Sequence, residues 1–456
     1  MIPQLKKSEK VAWLSNNHKK FCVLPWINLN TNPDGKLKLC CNIQNNNSIL
    51  TVNVDGVETP FNMGHHSIEE IWNSEYMKTV REQQLSNVGS SACKECYKVE
   101  ELTNHSPRTG QNEEWLRRKA NNADIGKILD TDIHQESIEL DHMPISLELR
   151  LGNQCNLQCI SCWGLSSSLT HDERAEYLDK GLIDTAEMSW IKRFWVRDRL
   201  AVDEADLKDW FETDMFYENF KKIAPTLKRL YTTGGEPTLI KANYKMFQML
   251  LDAGNTDCQI EFTSNMTTWN PEFYNRLEKF KNVEIQMSVD GIEEIGEYLR
   301  YPSEWSKVSD TIEKAVKLAA GKPGWRIKCY TVLQALNFRN VENIWEYLHD
   351  LANEYEKPIL WWPITLQAPH YLALGSVTVE ERSNHIESIK STWKTRYYDK
   401  SEQAFFQLND SVWDSYYNTI MNFPYNPTHH GQLKNYIKFV DQQRQLDGEL
   451  IFGDLL

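Results

Sequence analysis

The sequence predicts an α/β fold. We expect a partial (β/α)6 TIM-like barrel with a small N-terminal cysteine-rich hairpin module before it and a helical C-terminal cover after it. From about residue 144 onward, apolar strand patterns alternate with helical patterns, which is typical of βα units around a parallel sheet. Before this region, cysteines cluster around a short hairpin pattern. After it, aromatic side chains recur with helical spacing.

The composition limits the classes of protein to consider. The chain has 456 residues, of which 41% are hydrophobic and 25% are charged, so two or more domains with sizeable cores are expected. The net charge of −14 argues against broad electrostatic docking on nucleic acid or on an anionic membrane. We find no apolar run of membrane-spanning length and no signal-peptide core near Met1. The ten cysteines include tight clusters, which indicate metal sites in a reducing cytoplasm.

The predicted division of the chain has four parts. They are an auxiliary cysteine domain (1–100), a connector (101–143), the partial barrel (144–375) and a helical C-terminal region (376–456). In the connector we expect a break at residues 109–112, a short helix over 113–120, and a solvated side chain at Arg108.

The N-terminal module predicts a four-thiolate site. Strand patterns at 21–30 and 36–41 flank a Pro-Asp-Gly turn, so a hairpin brings Cys22 towards Cys40. A capping box at 67–70 starts a helix, and a Cys-x-x-Cys turn then supplies Cys93 and Cys96. Cys41 is an alternative to Cys40. Four such cysteines fit either a zinc ribbon or a [4Fe–4S] cluster.

The barrel region opens with the three-cysteine loop, which holds Cys155, Cys159 and Cys162 directly after the strand pattern at 145–151. Three thiolates this close can hold three corners of a [4Fe–4S] cube and leave one iron open. The further strand patterns lie at 227–232, 258–263, 283–289, 325–333 and 358–364. Ligands of such sheets bind at the carboxyl ends of the strands.

A second motif follows the strand pattern at 227–232. Gly234 and Gly235 let backbone carbonyls approach a ligand, Pro237 fixes the turn, and Glu236 offers a carboxylate to an ammonium group.

Together, these motifs resemble those of radical S-adenosylmethionine (AdoMet) enzymes. The Cys-x-x-x-Cys-x-x-Cys loop resembles the signature of that family, and the Gly-Gly-Glu-Pro turn resembles its segment for the amino group of AdoMet. The N-terminal cysteines resemble the first half of a SPASM or "twitch" auxiliary-cluster domain, although such a domain commonly follows the radical core. The resemblance implies an open-site [4Fe–4S] cluster, one auxiliary [4Fe–4S] cluster, and AdoMet.

Weaker resemblances concern later strand ends. Ser288 and Arg300 resemble the residues that contact the ribose and carboxylate of AdoMet, and Asn265 lies in a segment that departs from the usual Thr-Asn-Gly. Trp361 and Trp362 could stack on adenine, although core packing is expected for one of them. The pair His429 and His430 is expected in a surface loop.

The resemblance implies reductive cleavage of AdoMet to a 5′-deoxyadenosyl radical, which abstracts hydrogen from a peptide or protein substrate. A small-molecule substrate such as a sugar or amino-acid derivative is the alternative, and a non-catalytic iron–sulfur electron carrier is another. A thiol at Cys258 or Cys329 would permit epimerase chemistry, although buried apolar thiols are expected there. The expected partners are the substrate and a one-electron reductant such as flavodoxin or ferredoxin. We expect no membrane partner and no nucleic acid.

Overall fold

The computed structural model describes residues 19–41, 49–103, 106–121, 138–205, 207–397 and 410–455, with isolated residues 12, 14, 15 and 127. Ten strands are found in these segments. They are β1 (Asn28–Thr31), β2 (Leu37–Lys38), β3 (Thr51–Val54), β4 (Val57–Pro60), β5 (Ser146–Arg150), β6 (Arg229–Thr233), β7 (Gln259–Ser264), β8 (Val283–Ser288), β9 (Trp325–Leu333) and β10 (Ile359–Thr365).

Eight of the described strands form one sheet in the order β10-β9-β8-β7-β6-β5-β1-β2. The pairs β1–β5, β5–β6, β8–β9 and β9–β10 are parallel, while β1–β2 is an antiparallel hairpin. The predicted α/β class and its six barrel strands, β5 to β10, are therefore found. The hairpin pairs Asn30 with Lys38, and it adds its own two strands to the same sheet.

Sixteen α-helices lie between and after the described strands. They are Ile68–Trp72, Glu75–Leu85, Lys94–Thr103, Pro107–Asn121, Ser168–Asp179, Ser189–Asp203, Asp214–Ile223, Lys241–Asp252, Pro271–Leu277, Glu293–Leu299, Trp305–Ala319, Val341–Glu354, Val379–Thr392, Asp410–Met421, Pro427–Arg444 and Gly448–Phe452. In the described segments, no helix combines the length and the apolar character that crossing a bilayer requires.

The chain divides into two compact units. One contains Met1–Gly152, Asp206–Thr233 and Lys241–Ile260, and the other contains Asn153–Ala205, Gly234–Ile240 and Glu261–Leu456. In the first unit, the predicted capping box is present, because Ser67 and Glu70 exchange side-chain and backbone hydrogen bonds. In the second unit, the long helix Pro427–Arg444 packs on the three-cysteine loop, where the hydroxyl of Tyr436 donates to the carbonyl of Ile160 at 3.4 Å.

The predicted starts of two helices were wrong. The expected break at residues 109–112 is absent, because the helix Pro107–Asn121 runs through Gly110. His429 and His430 lie in the first turn of Pro427–Arg444 rather than in a loop. In both helices proline is the first residue, where its missing N–H has no helical partner to lose. Phe405 and Phe406, two of the aromatic residues on which the prediction of a helical C-terminal cover depends, lie outside the described residues.

Candidate functional site

The three-cysteine loop is held by the segment that carries Arg300. The backbone N–H of Gln158 donates to the carbonyl of Tyr301 at 2.6 Å, and that of Ile160 donates to the carbonyl of Leu299 at 3.1 Å. These two bonds place the cysteine loop beside the end of the helix Glu293–Leu299. The loop geometry is therefore set by a contact between segments about 140 residues apart in the chain.

The three thiols of this loop interact with one another. Burial, with a smaller contribution from the Cys159 sulfur, raises the pKa of Cys155 to about 11. Burial raises the pKa of Cys162 to about 12, with smaller contributions from the sulfurs of Cys159 and Cys155. An iron cluster bound here would displace the protons of these thiols. The donor set and its grouping in one loop therefore fit three corners of a [4Fe–4S] cluster.

Two buried arginines fix the backbone of the loop, and sequence reasoning missed both. Arg174 donates to the carbonyl of Cys162 at 2.6 Å and to the carboxylate of Asp198 at 2.8 Å. Arg444 donates to the carbonyl of Gln158 at 2.8 Å and forms an ion pair with Glu173. No sequence signal marks these residues, because their partners come from distant helices.

The Gly-Gly-Glu-Pro turn lies directly against the cysteine loop. Gly234 and Gly235 have φ of +82° and +55°, a region that side chains rarely adopt. A Cβ atom on Gly235 would lie 2.2 Å from the carbonyl oxygen of Gln154, so only glycine allows this approach. The N–H of Glu236 donates to the same carbonyl at 2.7 Å. The two motifs are thus joined by backbone contact, with Pro237 starting the short 3-10 helix Pro237–Leu239.

The carboxylate of Glu236 is buried and held by protein donors. Its Oε1 accepts from the N–H and hydroxyl of Thr238 and from the hydroxyl of Ser264, at 2.8–3.1 Å. Its Oε2 accepts from the N–H of Asn265 at 2.7 Å. Since each carboxylate oxygen has about two lone pairs, Oε2 retains capacity for one more donor. Burial raises the pKa of Glu236, and the hydrogen bonds oppose that rise.

Asn265 connects this carboxylate to the cysteine loop. Besides its backbone bond to Glu236, its side-chain amide donates to Asn156 Oδ1 at 2.9 Å and lies 3.9 Å from the sulfur of Cys155. Its side-chain oxygen accepts from the N–H and hydroxyl of Thr267. This residue therefore lies between the two motifs.

Asp290 holds Arg300 beside the cysteines. Ser288, the last residue of β8, lies two positions before Asp290 in the chain. Nη1 of Arg300 donates to Asp290 at 2.7 Å, and the other Asp290 oxygen accepts from the N–H of Val332. The Nε of Arg300 is buried and, among the described residues, has no hydrogen-bond partner. A buried donor of this kind is expected to find an acceptor in a ligand. Ser288 is half-buried at the carboxyl end of β8.

The four N-terminal cysteines line one cavity in the other unit. Cys22, Cys40, Cys93 and Cys96 line this cavity together with Leu24, Pro107 and Arg108. Across the described residues, no three Cys, His, Asp or Glu side chains are close enough to bind a single metal ion. Thiolates spread around a cavity suit a cluster, in which each iron takes one thiolate. Cys41 is exposed and does not line this cavity.

The remaining candidates are distributed as follows. Trp361 is buried, and its indole N–H donates to the hydroxyl of Thr331, whereas Trp362 is 55% exposed. Cys258 and Cys329 are both fully buried. His430 contacts the carbonyl of Ser376 at 2.9 Å through Nδ1.

Comparison with known protein families gives two matches. Residues 149–351 match the Radical SAM superfamily, and residues 22–97 match the SPASM iron–sulfur cluster-binding domain. The first match spans the three-cysteine loop and the Gly-Gly-Glu-Pro turn. The second spans all four cysteines of the N-terminal cavity. The expected pair of [4Fe–4S] clusters and AdoMet follow from these two matches.

A curated relative is the sporulation killing factor maturation protein SkfB of Bacillus subtilis (strain 168). It is 25% identical over 173 residues, which are 38% of this chain and 33% of the relative. The chain therefore spans about a third of the length of this relative.

Comparison with solved structures finds SuiB of Streptococcus suis. SuiB bound to S-adenosylmethionine is 11% identical, with a TM-score of 0.32 over 72% of this chain and 60% of SuiB. SuiB bound to the precursor peptide SuiA is 11% identical, with a TM-score of 0.33 over 77% of this chain and 66% of SuiB. The two family matches therefore place a region that matches the SPASM iron–sulfur cluster-binding domain before a region that matches the Radical SAM superfamily.

Proposed function

We propose that this enzyme cleaves AdoMet reductively and abstracts hydrogen from a peptide or protein substrate, leading to oxidation, cross-linking or a related modification. When bound, AdoMet and its cluster would supply a 5′-deoxyadenosyl radical. The observation that carries the proposal is the backbone contact of the Gly-Gly-Glu-Pro turn with the three-cysteine loop through Gln154.

We assign the roles of the side chains from their contacts. Cys155, Cys159 and Cys162 would hold three irons, and the cluster would bind AdoMet through the fourth. Oε2 of Glu236 and the backbone of Gly234 and Gly235 would receive the ammonium group of AdoMet. Its carboxylate would be bound by the unpartnered Nε of Arg300. Ser288 and Asn265 would lie at the ribose side of the same site.

A peptide substrate is supported by the exposed face of β10. Leu360, Trp362 and Ile364 alternate along this strand and are 49%, 55% and 42% exposed. Alternate residues of a strand share one face, so these side chains form an apolar row. β10 also ends the strand order of the sheet, and such strands can pair with an added extended peptide. The maturation activity named for SkfB agrees with a protein or peptide substrate.

The first test is cleavage of AdoMet by anaerobically reconstituted protein with a chemical reductant. We expect 5′-deoxyadenosine from the intact protein and none from Cys159→Ala. Cys329→Ala is the matched control, because it removes a buried thiol outside the loop and should retain cleavage. Iron in the intact protein without any 5′-deoxyadenosine would favour the electron-carrier alternative.

The second test concerns the substrate. Short peptides encoded beside the gene would be incubated with the enzyme and examined for loss of hydrogen by mass spectrometry. Trp362→Ser should lower kcat/KM for such a peptide about tenfold, since half-burial of a large apolar side chain is worth on the order of 1.5 kcal/mol. Leu450→Ser, which removes another exposed apolar side chain, is the control. Turnover of sugars or amino-acid derivatives, and not of peptides, would support the small-molecule alternative.

Three further assignments are part of the proposal. The reductant would be a small electron carrier such as flavodoxin or ferredoxin. The cytoplasm is the proposed location, because a reducing compartment keeps cluster-binding cysteines as thiols. The division into an auxiliary domain (1–100), connector (101–143), partial barrel (144–375) and helical C-terminal region (376–456) describes which segments would carry these roles.

A further inference from the structure

The wall of the four-cysteine cavity contains one charged side chain that does not belong to the cysteine set. Arg108 lines this cavity beside Cys22, Cys40, Cys93 and Cys96. It had been expected in solvent, but only 5% of its side chain is exposed. A buried guanidinium needs a specific function or a specific partner, since burial of an unpaired charge is costly.

Glu100 is that partner. Nε and Nη2 of Arg108 donate to the two carboxylate oxygens at 2.8 and 2.6 Å, and the hydroxyl of Ser106 donates to the same carboxylate. Burial raises the pKa of Glu100, but the hydrogen bonds from Arg108 and Ser106 outweigh it and leave the pKa below its ordinary value. This two-point geometry fixes the position and plane of the guanidinium.

The helix that carries Arg108 also holds the Cys22 segment. Nη1 of Arg108 donates to the carbonyl of Phe21, which also accepts from the side-chain amide of Asn112 at 3.1 Å. The side-chain oxygen of Asn112 accepts from the N–H of Val23 at 2.9 Å. Arg108 and Asn112 are four residues apart, so they lie on one face of Pro107–Asn121. Hydrogen bonds to Phe21 and to Val23 therefore fix the backbone on both sides of Cys22.

The same helix directs its N-terminal end at another cysteine. Pro107 and Arg108, in the first turn, line the same cavity as Cys96, and the backbone N–H of Arg108 lowers the pKa of that cysteine. Helix N-termini carry partial positive charge, which favours negative groups placed there. The guanidinium of Arg108 is also positively charged. It lowers the pKa of Cys22 and that of Cys93, whereas burial raises both. Glu100 opposes this effect at Cys96, where its charge raises the pKa.

We propose that Arg108, oriented by Glu100, is a positioning residue that raises the reduction potential of the cluster bound by Cys22, Cys40, Cys93 and Cys96. One-electron reduction adds one negative charge to the site, and a buried positive charge in the cavity wall stabilises that charge. A higher potential favours this cluster as an acceptor of the electron that an oxidative modification releases. The inference rests on the proposed assignment of these four cysteines to the auxiliary cluster.

The test is an EPR-monitored potentiometric titration of the full chain carrying Cys155→Ala, Cys159→Ala and Cys162→Ala. In this background only the auxiliary cluster remains, and the electron comes from a soluble reductant through mediators. Arg108→Met should lower the midpoint potential by at least about 59 mV, which is a tenfold change in a one-electron equilibrium. Glu100→Gln should raise the potential, because it removes the opposing negative charge while leaving an acceptor for Arg108.

The controls separate charge from structure. Arg117→Met removes a charge from the same helix at a side chain that is 74% exposed, and it should leave the potential unchanged because solvent screens it. If Arg108→Met loses iron, Arg108→Lys and Glu100→Gln decide the matter with the cluster intact. An unchanged potential in Glu100→Gln, or in Arg108→Met with full iron content, would overturn the proposal. The measurement uses neither AdoMet nor substrate, so its outcome is independent of whether the enzyme cleaves AdoMet.

Discussion

At the three-cysteine loop, the carboxylate of Glu236 lies near the thiols together with the guanidinium groups of three arginines, Arg174, Arg300 and Arg444. In the wall of the four-cysteine cavity, as far as the structure describes it, the one charged side chain is that of Arg108. Glu236 raises the pKa of Cys155, while Arg108 lowers the pKa of Cys22, Cys93 and Cys96, in each case modifying the larger upward shift caused by burial. Arg300 opposes the effect of Glu236, because its positive charge lowers the pKa of Cys155.

The number of cysteines agrees with this difference in charge. Three thiolates leave an open iron, and the charges around them can receive a ligand that carries both an ammonium and a carboxylate group. Four thiolates complete the coordination of a cluster, and the adjacent positive charge then acts on its electrons rather than on a ligand. On the proposed assignment of the two cysteine sets, the charges next to the sulfurs would distinguish a ligand-binding cluster from an electron-transfer cluster.

The largest expected effect separates the two sites by activity. Replacing Cys155, Cys159 and Cys162 with alanine should lower the iron content from about eight to about four atoms per chain and abolish AdoMet cleavage. Replacing Cys93 and Cys96 should also remove about four irons but retain cleavage without substrate. The measurement is iron, zinc and acid-labile sulfide per chain, alongside 5′-deoxyadenosine. Zinc in place of the second set of irons would contradict the auxiliary-cluster assignment.

The next effect concerns the carboxylate of Glu236, which lies beside the three-cysteine loop. Glu236→Gln should weaken AdoMet binding by about 10- to 150-fold, because a charge-assisted hydrogen bond is worth roughly 1.5–3 kcal/mol. Isothermal titration under anaerobic conditions measures the affinity. Glu284→Gln is the matched control, since it changes a buried carboxylate of β8 that is paired with Lys328. Equal weakening in both variants would show that Glu236 has only a structural role.

A smaller effect is expected from the partner of Arg300. Asp290→Asn removes the ion pair that orients this arginine, and we expect about tenfold weaker AdoMet binding, or roughly 1.4 kcal/mol. Arg300→Lys and the double variant complete a mutant cycle, in which the losses should not add, because the two residues act together. Strictly additive losses would mean that Asp290 does not act through Arg300.

The smallest effect distinguishes Cys40 from its neighbour Cys41 at the four-cysteine cavity. Cys40 lines the cavity and Cys41 does not, so Cys41→Ala should retain about eight irons while Cys40→Ala falls to about four. Iron analysis of the two variants is sufficient. Loss of iron in Cys41→Ala alone would exchange the roles of these two residues.

Much of the fold could be predicted because its signals are local. The alternation of apolar residues predicted β5 to β10, and the capping box of Ser67 and Glu70 was found where its sequence pattern placed it. The start of Pro427–Arg444 also had a local signal that was overlooked, since Asn426 accepts from the N–H of Thr428 and Pro427 takes the first helical position.

The surroundings of the thiols could not be predicted in this way. A solvated side chain was expected at Arg108, but Glu100 and Asn112 show that its helix belongs to the cysteine cavity. Arg174 and Arg444 hold the three-cysteine loop through carbonyls of Cys162 and Gln158, and nothing near them in sequence indicates this.

The sequence by itself determined the α/β class, the spacing of the two cysteine sets and the Gly-Gly-Glu-Pro turn. Each depends on residues within one strand, turn or loop, whose conformational preferences act over a few positions. Only the tertiary structure decided which charges lie beside the thiols, which oxygen of Glu236 retains capacity for a donor, and which cysteine of the pair Cys40 and Cys41 lines the cavity. These features depend on burial and on contacts between distant segments, and electrostatic effects become large only where burial removes solvent.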